Sequence, residues 1–111
     1  MTHSDRLIGV ASRLGKVGVG STATDAAIYE VLGLAGPVQP YSTSERVART
    51  LLPPGFEWMF VMHSARSVYA PCRCAGADAE GLAYPHHGQW ASTTSLALCG
   101  AALRAWAMLA R

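Results

Sequence analysis

The residues best suited to chemistry in this sequence are thiols and imidazoles. They are Cys72, Cys74, His86 and His87, with His63 further upstream. Thiolates and imidazoles are the usual ligands of structural zinc, but such sites typically use Cys-X2-Cys pairs. The Cys-X-Cys spacing found here places both sulfurs on one face of a strand. The pattern therefore favours cysteines that act as small buried hydrophobic residues, with no metal or cofactor, and leaves open whether these side chains approach closely enough to hold a metal.

A nucleophilic cysteine is the second chemical possibility. Such a residue needs a neighbour that stabilises its thiolate, usually histidine or arginine. Arg73 and the His86-His87 pair are the candidates for Cys72 or Cys74. No spacing in the sequence sets that geometry, so we predict no catalytic residue among them.

Two other patterns are poorer matches to known sites. Residues 18–23 have the glycine spacing of a dinucleotide-binding turn, but a helix precedes them where a strand is required, and Lys16 lies on the wrong side for a Walker motif. The seven carboxylates are scattered, and only Asp78 and Glu80 lie close together, in a turn-like segment. We therefore interpret residues 18–23 as a linker and expect no enzymatic activity.

The chain, residues 1–111, has the length of a single domain and is poor in charge. Only 14% of its residues are charged, against about 25% in typical soluble proteins. With a net charge of +2 and one lysine, nucleic acid is not an expected partner. So much apolar surface favours a protein partner or a homo-oligomer. Trp58, Trp90 and the loop containing His86 and His87 are the candidate protein-binding residues.

The same composition predicts a cytoplasmic protein. Three cysteines are an odd number for a disulfide framework, and residues 1–15 lack the apolar core of a signal peptide. The longest apolar stretch, residues 96–110, is interrupted by Arg104 and is shorter than the roughly 20 residues that span a bilayer. No membrane anchor is expected.

Four segments have helical periodicity. The last helix is mostly apolar around its circumference and should be covered on more than one side, with Cys99 and Trp106 in its core stripe. The predicted helices are residues 4–14 with Ser4 as N-cap, residues 25–32 capped by Thr24, a third starting at Ser42 or Thr43 and stopped by Pro53-Pro54-Gly55, and residues 92–110 capped by Ser92.

Between the third and fourth helices the period changes to about two, which is typical of strands. The first strand, residues 56–63, should present Phe56, Trp58, Phe60 and Met62 to the core. A turn at residues 64–66 leads to a strand at residues 67–74, in which Pro71 favours an edge position. A third short strand falls within residues 79–89. These elements predict an α+β fold with a small antiparallel sheet of about three strands flanked by helices and a long C-terminal helix.

Several short segments, taken in order over about residues 4 to 107, resemble the small phage and prophage proteins grouped as the phage ABA sandwich domain. The segments are Thr-Asp-Ala-Ala-Ile at 24–28, Leu-Gly-Leu at 32–34, Pro-Tyr-Ser-Thr-Ser at 40–44, Pro-Gly-Phe-Glu-Trp at 54–58 and Leu-Ala-Leu-Cys-Gly-Ala-Ala-Leu-Arg-Ala at 96–105. Many members carry a small hairpin where this chain has only residues 35–39. The resemblance implies a sheet flanked by helices, an origin in a phage or prophage, and no defined enzymatic function.

Small phage accessory proteins commonly bind a host or phage protein, including as inhibitors of defence systems such as CRISPR–Cas. The resemblance and the charge-poor surface therefore lead to the hypothesis of a phage accessory protein that acts by protein binding in the bacterial cytoplasm, an anti-CRISPR candidate. One alternative is a self-associating structural or assembly protein of a phage particle. A further alternative is a small metal-dependent protein that uses Cys72, Cys74 and His86 or His87.

Overall fold

The computed structural model describes residues 1–74 and 88–110 and the backbone of His87. Within these residues the chain forms four helices and four strands, which confirms the predicted α+β fold. In chain order they are α1 (His3–Leu14), α2 (Thr22–Leu32), α3 (Glu45–Arg49), β1 (Phe56–Trp58), β2 (Met62–His63), β3 (Val68–Cys74), β4 (His87–Ala91) and α4 (Thr94–Leu109).

The sheet is built around β3. Both β1 and β2 pair with one side of β3 and β4 pairs with the other, all antiparallel. The predicted hairpin is confirmed, since Ser64 N donates to Ser67 O at 2.9 Å and β2 pairs directly with β3. The sheet has four strands where about three were expected, because the predicted first strand is divided in two. The predicted third strand begins only at His87, and residues 79–86 of that prediction lie outside the described residues.

The division of the first strand is a β-bulge. Trp58 pairs with Cys72 in β1, whereas Met62 pairs with Tyr69 in β2, so residues 59–61 oppose only two residues of β3. One extra residue reverses the alternation of side chains from that point onward. The expectation that Phe60 and Met62 share the core face with Trp58 was therefore wrong.

The bulge also explains why Pro71 lies in the central strand, where an edge position was predicted. Met59 N donates to Pro71 O at 3.1 Å, so Pro71 turns its backbone toward the side on which β1 has ended and β2 has not begun. The amide hydrogen that proline lacks would point into this break. Its absence therefore removes no ladder hydrogen bond, and the usual reason for excluding proline from a central strand does not apply.

Each helix begins at a different capping residue from the one predicted. In every case the observed cap accepts a hydrogen bond from the backbone amide three residues later. Three of the predicted caps are occupied elsewhere: the Ser4 hydroxyl donates to Ala107 O at 3.0 Å, the Ser92 hydroxyl donates to Val17 O at 3.2 Å, and Ser42 is buried against α2. The observed caps are Thr2 for α1, Ser21 for α2, Ser44 for α3 and Thr93 for α4.

Helix α4 is the centre of the fold. Eleven of its sixteen residues are buried, because strands β3 and β4 cover one side and helices α1 and α3 cover others. The prediction of a mostly buried C-terminal helix is therefore confirmed, and elements of the same chain provide its cover. None of the helices in the described part of the chain has the length and apolar character needed to cross a bilayer.

The segment interpreted as a linker is held against the loop that follows α2. Asp25 Oδ1 accepts hydrogen bonds from the backbone amide of Ser42 at 2.8 Å and from its hydroxyl at 2.5 Å. The Ser42 hydroxyl oxygen in turn accepts from Ser21 N at 3.0 Å. Gly20 lies so close to Ser42 that a Cβ there would overlap its carbonyl. These contacts join the start of α2 to the loop that leads into α3.

Candidate protein-binding face of the sheet

The two faces of the sheet have different surroundings. Val68, Ala70 and Cys72 alternate along β3 on the face that packs on α4, and all three are buried. Tyr69 and Arg73 project from the opposite face, which we call the outer face. Because Met62 and Trp90 pair with Tyr69 across the two ladders, they share this outer face.

Three aromatic rings lie in contact across the outer face. The centroids of Tyr69 and Trp90 are 5.1 Å apart, and those of Tyr69 and Phe60 are 6.4 Å apart. Both pairs are tilted, within the range of separations at which aromatic pairs attract one another. We call Phe60, Tyr69 and Trp90 the aromatic row. Each ring comes from a different strand or from the bulge, so the row extends across the sheet.

A glycine makes room for the central ring. A Cβ at Gly88 would overlap the phenol of Tyr69, which lies directly over that position. Any side chain at residue 88 would therefore displace Tyr69. The absence of a side chain there allows the phenol of Tyr69 to lie over β4 at this position.

Much of this apolar surface is open. Phe60 is 49% exposed, Trp90 is 46% exposed and Met62 is 44% exposed. A partly exposed ion pair lies on the same face at the far end of β3, where Arg73 approaches Glu57 at 3.8 Å. Exposed apolar side chains with charged groups at their edge are common at protein–protein interfaces.

Strand β4, which carries Trp90, is tied to two helices through Gln89. The Gln89 amide nitrogen donates to Ala11 O in α1 at 2.7 Å, and its oxygen accepts from Arg104 Nε in α4 at 2.7 Å. Gln89 is buried and lies so close to Gly100 that a Cβ there would overlap its side chain. Trp90 is therefore presented from a strand whose position is set by both helices.

The sequence-predicted binding residues do not come together. Trp90 belongs to the aromatic row, but Trp58 faces the other side of the sheet, where it is half-buried and donates its indole N–H to Arg49 O at 3.3 Å. His86 lies outside the described residues, and only the backbone of His87, opposite Cys72 in β4, is described. Sequence reasoning missed Phe60, Met62 and Tyr69 as surface residues, because the bulge that turns the first two outward leaves no clear signal in the sequence.

Two of the cysteines, Cys72 and Cys99, are placed unfavourably for thiolate chemistry. Cys72 donates weakly to Ala101 O at 3.8 Å, and Cys99 donates to Tyr41 O at 3.1 Å. Burial raises the pKa of the Cys72 thiol to about 12, and burial together with the nearby Asp25 carboxylate raises that of Cys99 to about 12. Both are therefore protonated at neutral pH.

The same part of the chain offers little for a metal. Among residues 1–74 and 88–110, no three histidine, cysteine or acidic side chains come together in a way that could hold a metal ion. Cys74, which is half-buried, is the most accessible of the thiols. Cys72 and Cys74 belong to the central strand β3, and the His86 and His87 side chains that the metal hypothesis also requires lie outside the described residues.

Comparison with known proteins identified no relative of this chain. No family model, no curated protein and no solved structure matches this chain. The resemblance to the phage ABA sandwich proteins therefore stays a prediction, and the candidate site stands on the geometry of the outer face.

Proposed function

We propose that this protein is a non-enzymatic binding protein that docks on a protein partner through the aromatic row and Met62, which together we call the binding face. The observation that carries the proposal is that Tyr69 lies in ring contact with both Phe60 and Trp90 on the outer face of the sheet, and that these two flanking rings are each about half exposed. Large apolar side chains clustered in this way supply most of the binding energy in protein interfaces.

The binding face is also well prepared for association. Tyr69 is held by its two ring neighbours and by the close approach of Gly88, and β4 is tied to the helices through Gln89. Side chains that are already ordered lose less conformational entropy when a partner covers them. Truncation of one central aromatic residue in such an interface costs about 2 kcal/mol or more.

For the biological setting we propose a phage or prophage accessory protein that binds a host protein in the bacterial cytoplasm and inhibits a defence complex. The support is the resemblance to phage ABA sandwich proteins together with the charge-poor composition. This part of the proposal specifies the class of partner, a host protein, whereas the binding face specifies the surface that contacts it.

The test is affinity purification of the tagged protein from the bacterial host, followed by mass spectrometry. Trp90→Ala and Phe60→Ser should each reduce recovery of a stoichiometric partner at least about tenfold, which corresponds to about 1.4 kcal/mol. Val19→Ser is the matched control, because Val19 is 72% exposed and lies in the loop between α1 and α2. Circular dichroism should show that all three variants keep the wild-type fold. Recovery of no partner by the wild type, or equal recovery by all variants, would contradict the proposal.

The alternative is a structural or assembly protein whose copies cover the same face. The observation that favours it is that the face is apolar, and apolar surface is equally well covered by a second copy. Light scattering over a range of concentrations separates the two functions. A dimer that Trp90→Ala abolishes, with no host partner recovered, would support self-association, whereas a strict monomer at all concentrations would remove it.

A further inference from the structure

A second open surface lies on the helical side of the molecule. An apolar cleft of about 350 Å³ is bounded by the end of α2 and the loop after it, by the residues that follow α3, and by α4. Leu32, Leu34, Leu51 and Trp106 supply its apolar walls. The Trp106 indole is fixed in place because its N–H donates to Leu51 O at 2.7 Å. The volume falls within the range of small-molecule sites, about 300 to 1,000 Å³.

The cleft contains a polar group without a partner. Tyr41 lines it and is only 4% exposed as a residue, and its hydroxyl makes no hydrogen bond with the described residues. Because this oxygen is not among the buried polar atoms that lack a partner, it is in contact with solvent and can bond to a ligand. Gln39 also lines the cleft, and the one side-chain hydrogen bond that it makes within the described part of the chain is a long one of 3.4 Å from its amide nitrogen to Pro37 O.

A cation stands at the mouth of the cleft. Gln39 and Thr50 line a second groove of about 260 Å³ as well, which continues past them to Arg46. Arg46 is exposed, and no carboxylate among the described residues lies within ion-pairing distance of it. The adjacent Glu45 is already engaged with Arg49 at 3.2 Å.

We propose that this cleft binds a small amphipathic carboxylate. The apolar body, a ring system or a short aliphatic chain, occupies the space beside Trp106, the carboxylate pairs with the Arg46 guanidinium, and the Tyr41 hydroxyl bonds to a polar atom of the ligand. A guanidinium matches the planar geometry of a carboxylate and binds it with two parallel hydrogen bonds. The site lies on the opposite side of α4 from the sheet, so the proposal does not depend on the binding face.

The probe is 2-naphthoate, titrated into the isotope-labelled protein while the indole N–H resonance of Trp106 is followed by NMR. We expect a saturable shift of this resonance. The neutral isostere 2-naphthamide should bind about five- to tenfold more weakly, because it fills the cleft without the charge-assisted contact. Equal binding of the two compounds, or no saturable shift with naphthoate, would overturn the proposal.

Substitutions at the mouth identify the contact. Arg46→Gln should weaken 2-naphthoate about five- to tenfold and leave 2-naphthamide unchanged, whereas Arg66→Gln, which removes an exposed charge from the β2–β3 turn, should change neither. The only polar atoms of 2-naphthoate are its carboxylate oxygens, so the Tyr41 hydroxyl would bond to one of them. Tyr41→Phe should therefore weaken naphthoate about tenfold, as expected for loss of a hydrogen bond to a charged group. An Arg46→Gln variant that binds naphthoate like the wild type would contradict the role of the cation.

A cleft-filling substitution locates the apolar body. Ala35 lines the cleft and is exposed, so Ala35→Trp should abolish the shift, while Ala26→Trp, at an exposed position of α2, should not. Amide resonance dispersion shows whether each variant is folded, and Arg46→Gln tests the site independently of both. If Phe60→Ser abolishes naphthoate binding instead, the probe is on the binding face and the cleft proposal is wrong.

Discussion

Gly9 in α1 and Gly100 in α4 are both interior helix residues, and the structure predicts opposite results when each is replaced by alanine. A Cβ at Gly9 would meet no atom within 4 Å. A Cβ at Gly100 would lie 2.7 Å from Cδ of Gln89, well inside normal contact distance. The Gln89 side chain cannot retreat easily, because its amide is bound to Ala11 O and to Arg104 at the same time.

The magnitudes decide the sign of each effect. Alanine is favoured over glycine in a helix interior by about 0.5 to 1 kcal/mol, so Gly9→Ala should raise the free energy of unfolding by about that amount. Gly100→Ala should gain the same stabilisation from the higher helix propensity of alanine. It also incurs an overpacking cost of about 1 to 3 kcal/mol, and loss of a Gln89 hydrogen bond costs about 1 kcal/mol more. We expect a net destabilisation of about 2 kcal/mol.

Urea unfolding followed by circular dichroism measures both variants under the same conditions. The cause is tested by repeating Gly100→Ala in a Gln89→Ala background, where the destabilisation should be clearly smaller because most of the obstructing side chain is gone. If Gly100→Ala is as stable as the wild type, or if its cost is unchanged in the Gln89→Ala background, the reasoning about the buried amide is refuted.

Three further predictions concern the buried carboxylate and the thiols. Asp25→Ala should lower the free energy of unfolding by about 2 to 4 kcal/mol, since the buried Ser42 amide is left unpaired and the Ser42 hydroxyl loses its charged acceptor and keeps only Ser21 O. Asp5→Ala, which removes an exposed capping contact, should cost less than about 1 kcal/mol. Similar urea midpoints for the two variants would contradict this. An aromatic disulfide reagent at pH 8 should modify Cys74 first and leave Cys72 and Cys99 unreactive until the protein unfolds. With a pKa of about 12, only about one in 10⁴ of these buried thiols is ionised at that pH. Rapid reaction of all three cysteines would refute the burial of Cys72 and Cys99. Between pH 9 and 12 the Cys99 thiol is ionised in the unfolded state but protonated in the folded state. The free energy of unfolding should therefore fall by up to about 1.4 kcal/mol per pH unit because of Cys99. A Cys99→Ala variant whose stability falls as steeply with pH as that of the wild type would argue against this.

The elements that the sequence predicted well are those determined by local periodicity. The C-terminal helix, the hairpin turn at residues 64–66 and the strand from about Ser67 to Cys74 needed only side-chain period and turn residues to be recognised. The same local signals predicted the α+β class. The sequence placed Trp90 among the candidate binding residues, and its side chain is 46% exposed on the outer face, while its role in binding stays a prediction.

Other features depended on which distant group each side chain reached. Ser4 and Ser42 have the chemistry of N-caps, yet one donates to Ala107 O and the other binds Asp25, so neighbouring residues cap the helices. Pro71 is excluded from most central strands, but the break between β1 and β2 removes the cost of its missing amide hydrogen. Such pairings link residues far apart in the chain, so local patterns do not report them.

The binding face shows most clearly which features the sequence predicted and which only the tertiary structure determined. The composition indicated that the chain has too few charged residues to cover its surface, and the sequence pattern placed aromatic residues in or beside the predicted strands. Only the tertiary structure decided that Phe60 and Met62 point away from the core while Trp58 points toward it. The physical reason is one extra residue at positions 59–61, which reverses the side-chain alternation that the sequence pattern follows from Phe56.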